Sequence, residues 1–229
     1  MGLIIPSVNV VMEPEFNAMI PDGISVHTTR LFLTTGTVEN LEKMAEDTER
    51  AAELLSTAKV DVVAYGCTMG SLIKGIGWDR QLIARINKIC RVPATTTSTA
   101  AILAFEKLGI RKVAVATPYR EELNLKEKEF FEAHGIKVVN MKGLSLTGEG
   151  MHRASPEITY KLACKVNTPE ADAVFISCTN FKSVTVVEDL EDRLHKFVFS
   201  SNTATFWDII RKLGLRARIK GYGSLFEFV

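Results

Sequence analysis

The chain has 229 residues, enough to bury a substantial core as one large or two small domains. Its 28 Lys and Arg balance 27 Asp and Glu, and no basic stripe interleaves with aromatics, so neither nucleic acid nor an anionic membrane is an expected partner. No run approaches the ~20 apolar residues that cross a bilayer. The start Met1-Gly2-Leu3-Ile4-Ile5-Pro6-Ser7 lacks the basic region of a signal peptide, and a cytoplasmic location is expected.

Leu3-Ile4-Ile5 reads as a short strand ending at Pro6-Ser7-Val8-Asn9, followed by a helix over Met12 to Met19. Thr37 caps a helix whose periodic positions Leu41, Met44, Ala45, Thr48, Ala51, Ala52 and Leu55 keep i, i+3, i+4, i+7 spacing. Val60 to Tyr65 is the kind of continuous run found in parallel strands covered on both faces. Asp79 is placed to cap the helix carrying Leu82 to Ile89, and Thr97 or Ser98 the next, which stops at Gly109.

The rhythm then repeats. Strand Lys112 to Ala116 precedes a helix from Arg120 to Ala133 closed by Gly135, then strand Ile136 to Asn140 and a loop around Thr147 to Gly150. Ser155-Pro156-Glu157 starts a helix, with Pro at the first helical position. Strand Ala173 to Ser177, helix Val187 to Leu194, strand Phe197 to Phe199 and helix Asn202 to Leu213 complete the chain. The alternation predicts an α/β fold of two pseudo-symmetric, flavodoxin-like domains, each a parallel sheet flanked by helices. The first domain is expected over 1–98 plus 206–229 and the second over 99–205.

Two similar halves are also visible in the details. Val92-Pro93-Ala94-Thr95-Thr96-Thr97-Ser98-Thr99-Ala100 answers Phe197-Val198-Phe199-Ser200-Ser201-Asn202-Thr203-Ala204, and Tyr65-Gly66-Cys67-Thr68 answers Ile176-Ser177-Cys178-Thr179. Ligands of parallel sheets bind beyond the carboxyl ends of the strands. Two facing halves would therefore put Cys67 and Cys178 on either side of a small ligand. One thiolate and one thiol can add to a double bond and protonate its neighbour, or move a proton between the faces of a carbon, and neither route needs a cofactor.

Competing readings are weaker. A cysteine at a strand end is often only a small buried residue, but two at matching positions are harder to explain that way. Cys90 and Cys164 lie among periodic helix positions and read as packing. The four histidines are scattered and no CxxC occurs, so no metal site is indicated, and no phosphate-cradling glycine motif is present.

Pro6-Ser7-Val8-Asn9 followed by Met12-Glu13, Gly66-Cys67-Thr68, Thr117-Pro118-Tyr119 with Asn124, and Ser177-Cys178-Thr179-Asn180 together resemble the aspartate/glutamate/hydantoin racemase superfamily. Within it the chain is most similar to the branch of maleate cis–trans isomerases and arylmalonate decarboxylases, over essentially its whole length. The resemblance implies Cys67 as nucleophile and Cys178 as acid. It also implies Ser7, Asn9, Thr68, Met69, Tyr119 and Thr179 as substrate-binding residues, with no cofactor and no metal. Decarboxylases of this branch have glycine where Cys67 stands, which argues for isomerisation. A two-cysteine amino-acid or hydantoin racemase is the alternative, ahead of a decarboxylase or a non-catalytic carboxylate-binding protein. In the resembled isomerases an Asn precedes the Ser-Pro-Glu helix, and Gly148 occupies that place here, with Glu149 beside it.

Two further expectations concern ionisation and assembly. Cys67 should be the more ionised thiol, since Gly66 leaves it open and Gly70 and Ser71 supply donors. A homodimer or higher homo-oligomer is expected from apolar residues near the C-terminus, Phe226, Phe228 and Val229, and from the habit of the resembled family.

Overall fold

The structure, a computed structural model, describes residues 1–217 and 219–229. The first half runs β1 (Gly2–Pro6), α1 (Met12–Met19), β2 (His27–Leu31), α2 (Val38–Met44), α3 (Thr48–Thr57), β3 (Val63–Tyr65), α4 (Thr68–Leu72), α5 (Trp78–Cys90), β4 (Ala94–Thr96) and α6 (Thr97–Lys107). The second runs β5 (Lys112–Thr117), α7 (Glu121–Ala133), β6 (Lys137–Gly143), α8 (Glu149–Arg153), α9 (Pro156–Val166), β7 (Ala173–Ile176), α10 (Val187–Leu194), β8 (Phe197–Ser200) and α11 (Ser201–Lys212). Among the described residues no helix is long and apolar enough to cross a membrane.

Each half is a four-stranded, wholly parallel sheet, ordered β2-β1-β3-β4 and β6-β5-β7-β8. The order is the same in both, as expected of two similar halves. Helices cover both faces, so central strands such as β1 and β7 are buried along their whole length. Against the second sheet, Phe105 of α6 meets Phe131, Phe175 and Phe199, and Phe131 meets Phe175, edge to face with centroids 5.1–5.6 Å apart. The halves are joined through α6 and α11, where Thr205 Oγ1 donates to Thr97 Oγ1 at 3.1 Å.

Several expectations change in detail. β2 was not anticipated: His27-Thr28-Thr29-Arg30-Leu31 is an edge strand with one exposed face, too polar to stand out as an apolar run. α5 begins after Gly77, which takes φ +82°, whereas Asp79 is buried and accepts from Thr99 Oγ1 at 2.5 Å. α6 is capped by Thr96, whose Oγ1 accepts from the Thr99 N–H at 3.1 Å, and not by Thr97 or Ser98. The expected loop near Thr147 contains the short α8. Phe226 is buried edge-on against Phe206, so it offers no apolar surface for self-association, and Phe228 and Val229 are half-buried.

Candidate active site

β3 ends at Tyr65, and Gly66 leads into Cys67, the N-cap residue of α4. The Gly70 N–H donates to Cys67 Sγ at 3.3 Å. Gly66 is required by packing, because a Cβ there would come 2.8 Å from Ile5 Cγ2 and run into Met12 Sδ. In the second half β7 ends at Ile176, and Cys178 takes φ +90°, a left-handed conformation that side chains disfavour. Its N–H donates to Ser201 Oγ at 3.0 Å, and its Sγ accepts from the Asn180 N–H at 3.3 Å. Each sulfur thus receives one backbone donor from the turn that follows it.

The two turns are stitched directly together. Asn9 Nδ2 donates to Thr179 Oγ1 at 2.9 Å, which donates onward to the Gly66 carbonyl at 3.1 Å. The Val10 N–H donates to Asn180 Oδ1 at 3.0 Å, and Thr68 and Ser201 share a hydroxyl pair at 2.9 Å. Arg30 on β2 steadies the Asn9 turn by donating to the Asn9 carbonyl at 2.6 Å.

A cavity of about 70 Å³ opens over these turns and is lined by Asn9, Cys67, Thr68, Met69, Tyr119, Cys178 and Thr179. All the anticipated site residues therefore converge except Ser7, which does not line the cavity. Ser7 instead exchanges two hydrogen bonds with the Leu33 backbone, at 3.0 and 3.1 Å. Sequence reasoning missed the outer wall, formed by Leu33, Leu41, Leu123 and Met151 from four separate segments. Gly148 lines the cavity as anticipated for its position, but Glu149 is exposed and pairs with Arg153, away from the cavity.

The electrostatics differ from expectation. Burial pushes the Cys67 thiol up to about 12, against the Gly70 donor and with some repulsion from Cys178. Burial likewise pushes Cys178 up to about 11, opposed by hydrogen bonds from Tyr119 and Asn180 and reinforced by Glu127 and Glu15. Both sulfurs keep their protons at neutral pH, and Cys67 is not the more ionised of the two. The reason is that both are almost wholly withdrawn from water, and one backbone donor each does not offset that.

Two buried carboxyls also stand behind Cys178. Glu127 on α7 accepts from Ser177 Oγ at 2.6 Å with one oxygen while the other has no partner among the described residues, and burial raises its pKa to about 8. Asn124, one turn earlier on the same face, accepts from Thr117 Oγ1 at 2.6 Å, and that hydroxyl receives the Tyr119 N–H at 3.1 Å. Helix α7 thereby buttresses Tyr119 and Cys178 together. Glu15 on α1 accepts from the Ser183 N–H at 2.7 Å and Asn202 Nδ2 at 2.5 Å, holding the segment after Cys178 from the other half; burial raises its pKa. Charged residues on a helix read as a solvated face in sequence, so neither carboxyl was foreseen.

Comparison with known proteins agrees with this geometry. A family model described as arylmalonate decarboxylase matches residues 1–226. The chain is 29% identical to the maleate isomerase of Geobacillus stearothermophilus, over 98% of this chain and 95% of that one. It is 27% identical to the arylmalonate decarboxylase of Bordetella bronchiseptica, over 97% of each. Among solved structures, a cysteine-to-alanine variant of the maleate isomerase Iso from Pseudomonas putida S16, with maleate, superposes with a TM-score of 0.96 at 27% identity, covering 100% of this chain and 97% of that chain. By a family-model match over residues 1–226 and by fold, the chain belongs to the arylmalonate decarboxylase family.

Proposed function

We propose that the protein is a cofactor-independent cis–trans isomerase of a small unsaturated carboxylic acid, most like maleate isomerase, working through a covalent cysteine adduct. The observation that carries this reading is the pair of thiols from opposite halves, Cys67 and Cys178, lining one small cavity. The reactive form holds one proton between the two sulfurs. The Cys67 thiolate forms a C–S bond to one alkene carbon while Cys178 gives its proton to the neighbouring carbon. What was a double bond is then single and rotates. Cys178 takes back the proton as the C–S bond breaks, releasing the trans acid and restoring both sulfurs.

Asn9, Thr68, Tyr119 and Thr179 supply the polar floor against which carboxylates are held, together with the first N–H groups of α4, which lack intrahelical partners. The match to maleate isomerases supports the reaction type, and a cysteine rather than a glycine at position 67 supports isomerisation over decarboxylation. Incubation with maleate and with 2-methylmaleate, followed by proton NMR, tests the proposal through appearance of the trans acid. Absence of trans product from both acids, with solvent deuterium entering the α-carbon of aspartate or glutamate, would replace it with the racemase reading.

A further inference from the structure

We propose that the hydroxyl of Tyr65 is a second hydrogen-bond donor to the Cys67 sulfur in its ionised form, completing with the Gly70 N–H a small anion pocket for the attacking thiolate. The proposal deepens the isomerase reading and rests on it for the reaction that Cys67 performs.

An ionised sulfur needs support that the cavity does not supply. Cys67 is 7% exposed, and its sulfur receives one donor, the Gly70 N–H at 3.3 Å. No Lys, Arg or His is among the described residues that line the cavity. In the proposed cycle the thiolate exists twice, before the C–S bond forms and again as it breaks. Each time a buried negative charge must be held by dipoles alone.

Tyr65 is the last residue of β3, two positions before Cys67, and is fully buried. Its hydroxyl has no hydrogen-bond partner among the described residues. Leaving a buried hydroxyl unpaired costs stability, and phenylalanine would fill the same place without that cost. The hydroxyl also borders the sulfur. A Cβ added at Gly70 would lie 3.0 Å from Cys67 Sγ and 3.1 Å from Tyr65 Oη, with Met44 Cε 2.9 Å away, so sulfur and hydroxyl flank one spot that glycine keeps clear of a side chain.

The charges around this pair favour a donor. Tyr65, Cys178 and Tyr119 are the titratable groups that act on Cys67, and Arg85 of α5, paired with Glu49 of α3, acts on Tyr65. Helix α4 itself carries no charged residue. Burial first, and then the charge of an ionised Cys67, hold the Tyr65 phenol well above its usual range against the opposing Arg85, so it keeps its proton. A thiol accepts hydrogen bonds weakly, whereas an ionised acceptor attracts a donor strongly, so loss of the Cys67 proton draws the hydroxyl and the sulfur together.

The test compares the unsubstituted protein with Tyr65→Phe by peptide mapping of iodoacetamide alkylation between pH 7 and 9, with Cys90 and Cys164 as internal references. A charge-assisted hydrogen bond corresponds to roughly ten- to 100-fold in the ionisation equilibrium. A less stabilised thiolate is also more nucleophilic, which offsets part of this, and alkylation of Cys67 should slow by about three- to tenfold while Cys90 and Cys164 label as before. The urea midpoint should stay or rise, because only an unpaired hydroxyl is lost. In the isomerase assay kcat/KM should fall at least as far as the alkylation rate. Alkylation of Cys67 at the unsubstituted rate would overturn the role of Tyr65. Slower alkylation together with a lowered urea midpoint would overturn it too, by showing that the hydroxyl holds the fold and not the sulfur. Absence of turnover by the unsubstituted protein would remove the isomerase reading, and the alkylation comparison would still decide whether Tyr65 donates to Cys67.

Discussion

Replacing Glu127 by Gln should make the protein less sensitive to alkaline pH. In the folded protein the Glu127 carboxyl titrates at about 8, against 4.5 in the absence of its surroundings, and burial is the cause. A carboxyl whose folded pKa is raised contributes stability that is fully present below pH 4.5 and is lost as pH rises through 8. At about 1.4 kcal/mol per pKa unit the whole difference is of the order of 5 kcal/mol. Roughly 2 kcal/mol of this is gone by pH 6, and a further 2–3 kcal/mol is lost between pH 6 and 9. Gln keeps an acceptor for Ser177 Oγ, which donates to Glu127 Oε1 at 2.6 Å, and does not ionise. Its amide is as poorly partnered as the second oxygen it replaces, at a cost that is constant with pH. The assay is urea unfolding of both proteins at pH 6 and pH 9. Glu15, Tyr65 and Cys67 are common to the two proteins and cancel in the difference, whereas Cys178 and Tyr119 lose a repulsion from Glu127 in the variant, which acts in the same direction as the Glu127 effect. The wild type should lose about 2–3 kcal/mol more than Glu127→Gln over this range. Equal losses would show that Glu127 is already ionised in the fold and that the burial argument is wrong.

Because both thiols are held protonated, the one-proton form grows with alkalinity, and kcat/KM should climb by up to about tenfold per pH unit between pH 7 and 8.5; a profile already flat at pH 7 would mean a thiolate exists in the free site. Gly143→Ala should lower kcat and cost about 1–3 kcal/mol of stability. Its Cβ would run into the Tyr119 carbonyl and come 2.5 Å from Asn124 Nδ2, and unchanged kinetics would show that Tyr119 is not held by this contact.

Much of the architecture was legible because it is written in local patterns. The alternation of β-type runs with helices gave both sheets, and the matched turns at Cys67 and Cys178 located the cavity before any coordinates. Asn9, Tyr119 and Thr179 converge on that cavity as the resemblance implied. What escaped is what depends on distant parts of the chain. The edge strand β2 carries a polar face and gives no apolar run. Leu33 and Met151 are unremarkable locally, and only the closing of their segments over the strand ends makes them a wall. Glu127 follows Glu121, Glu122 and Lys126 in a charged helix, so its complete burial is invisible until α7 is laid against the sheet. The thiol ionisation was misjudged for a related reason: nearby donors can be read from sequence, whereas the depth of burial cannot.

The bonds that cross between the halves have a mechanical consequence. Rotation of one half away from the other would have to break Asn9 to Thr179, Thr179 to Gly66, Val10 to Asn180 and Thr68 to Ser201 together. The spacing of the two sulfurs is thus set by a welded seam, not by how far a hinge has closed. Residues 32–36 and 146–151 contribute to the cavity lining but take no part in that seam. Substitutions there should alter how a ligand is held, while the seam keeps the two sulfurs in register.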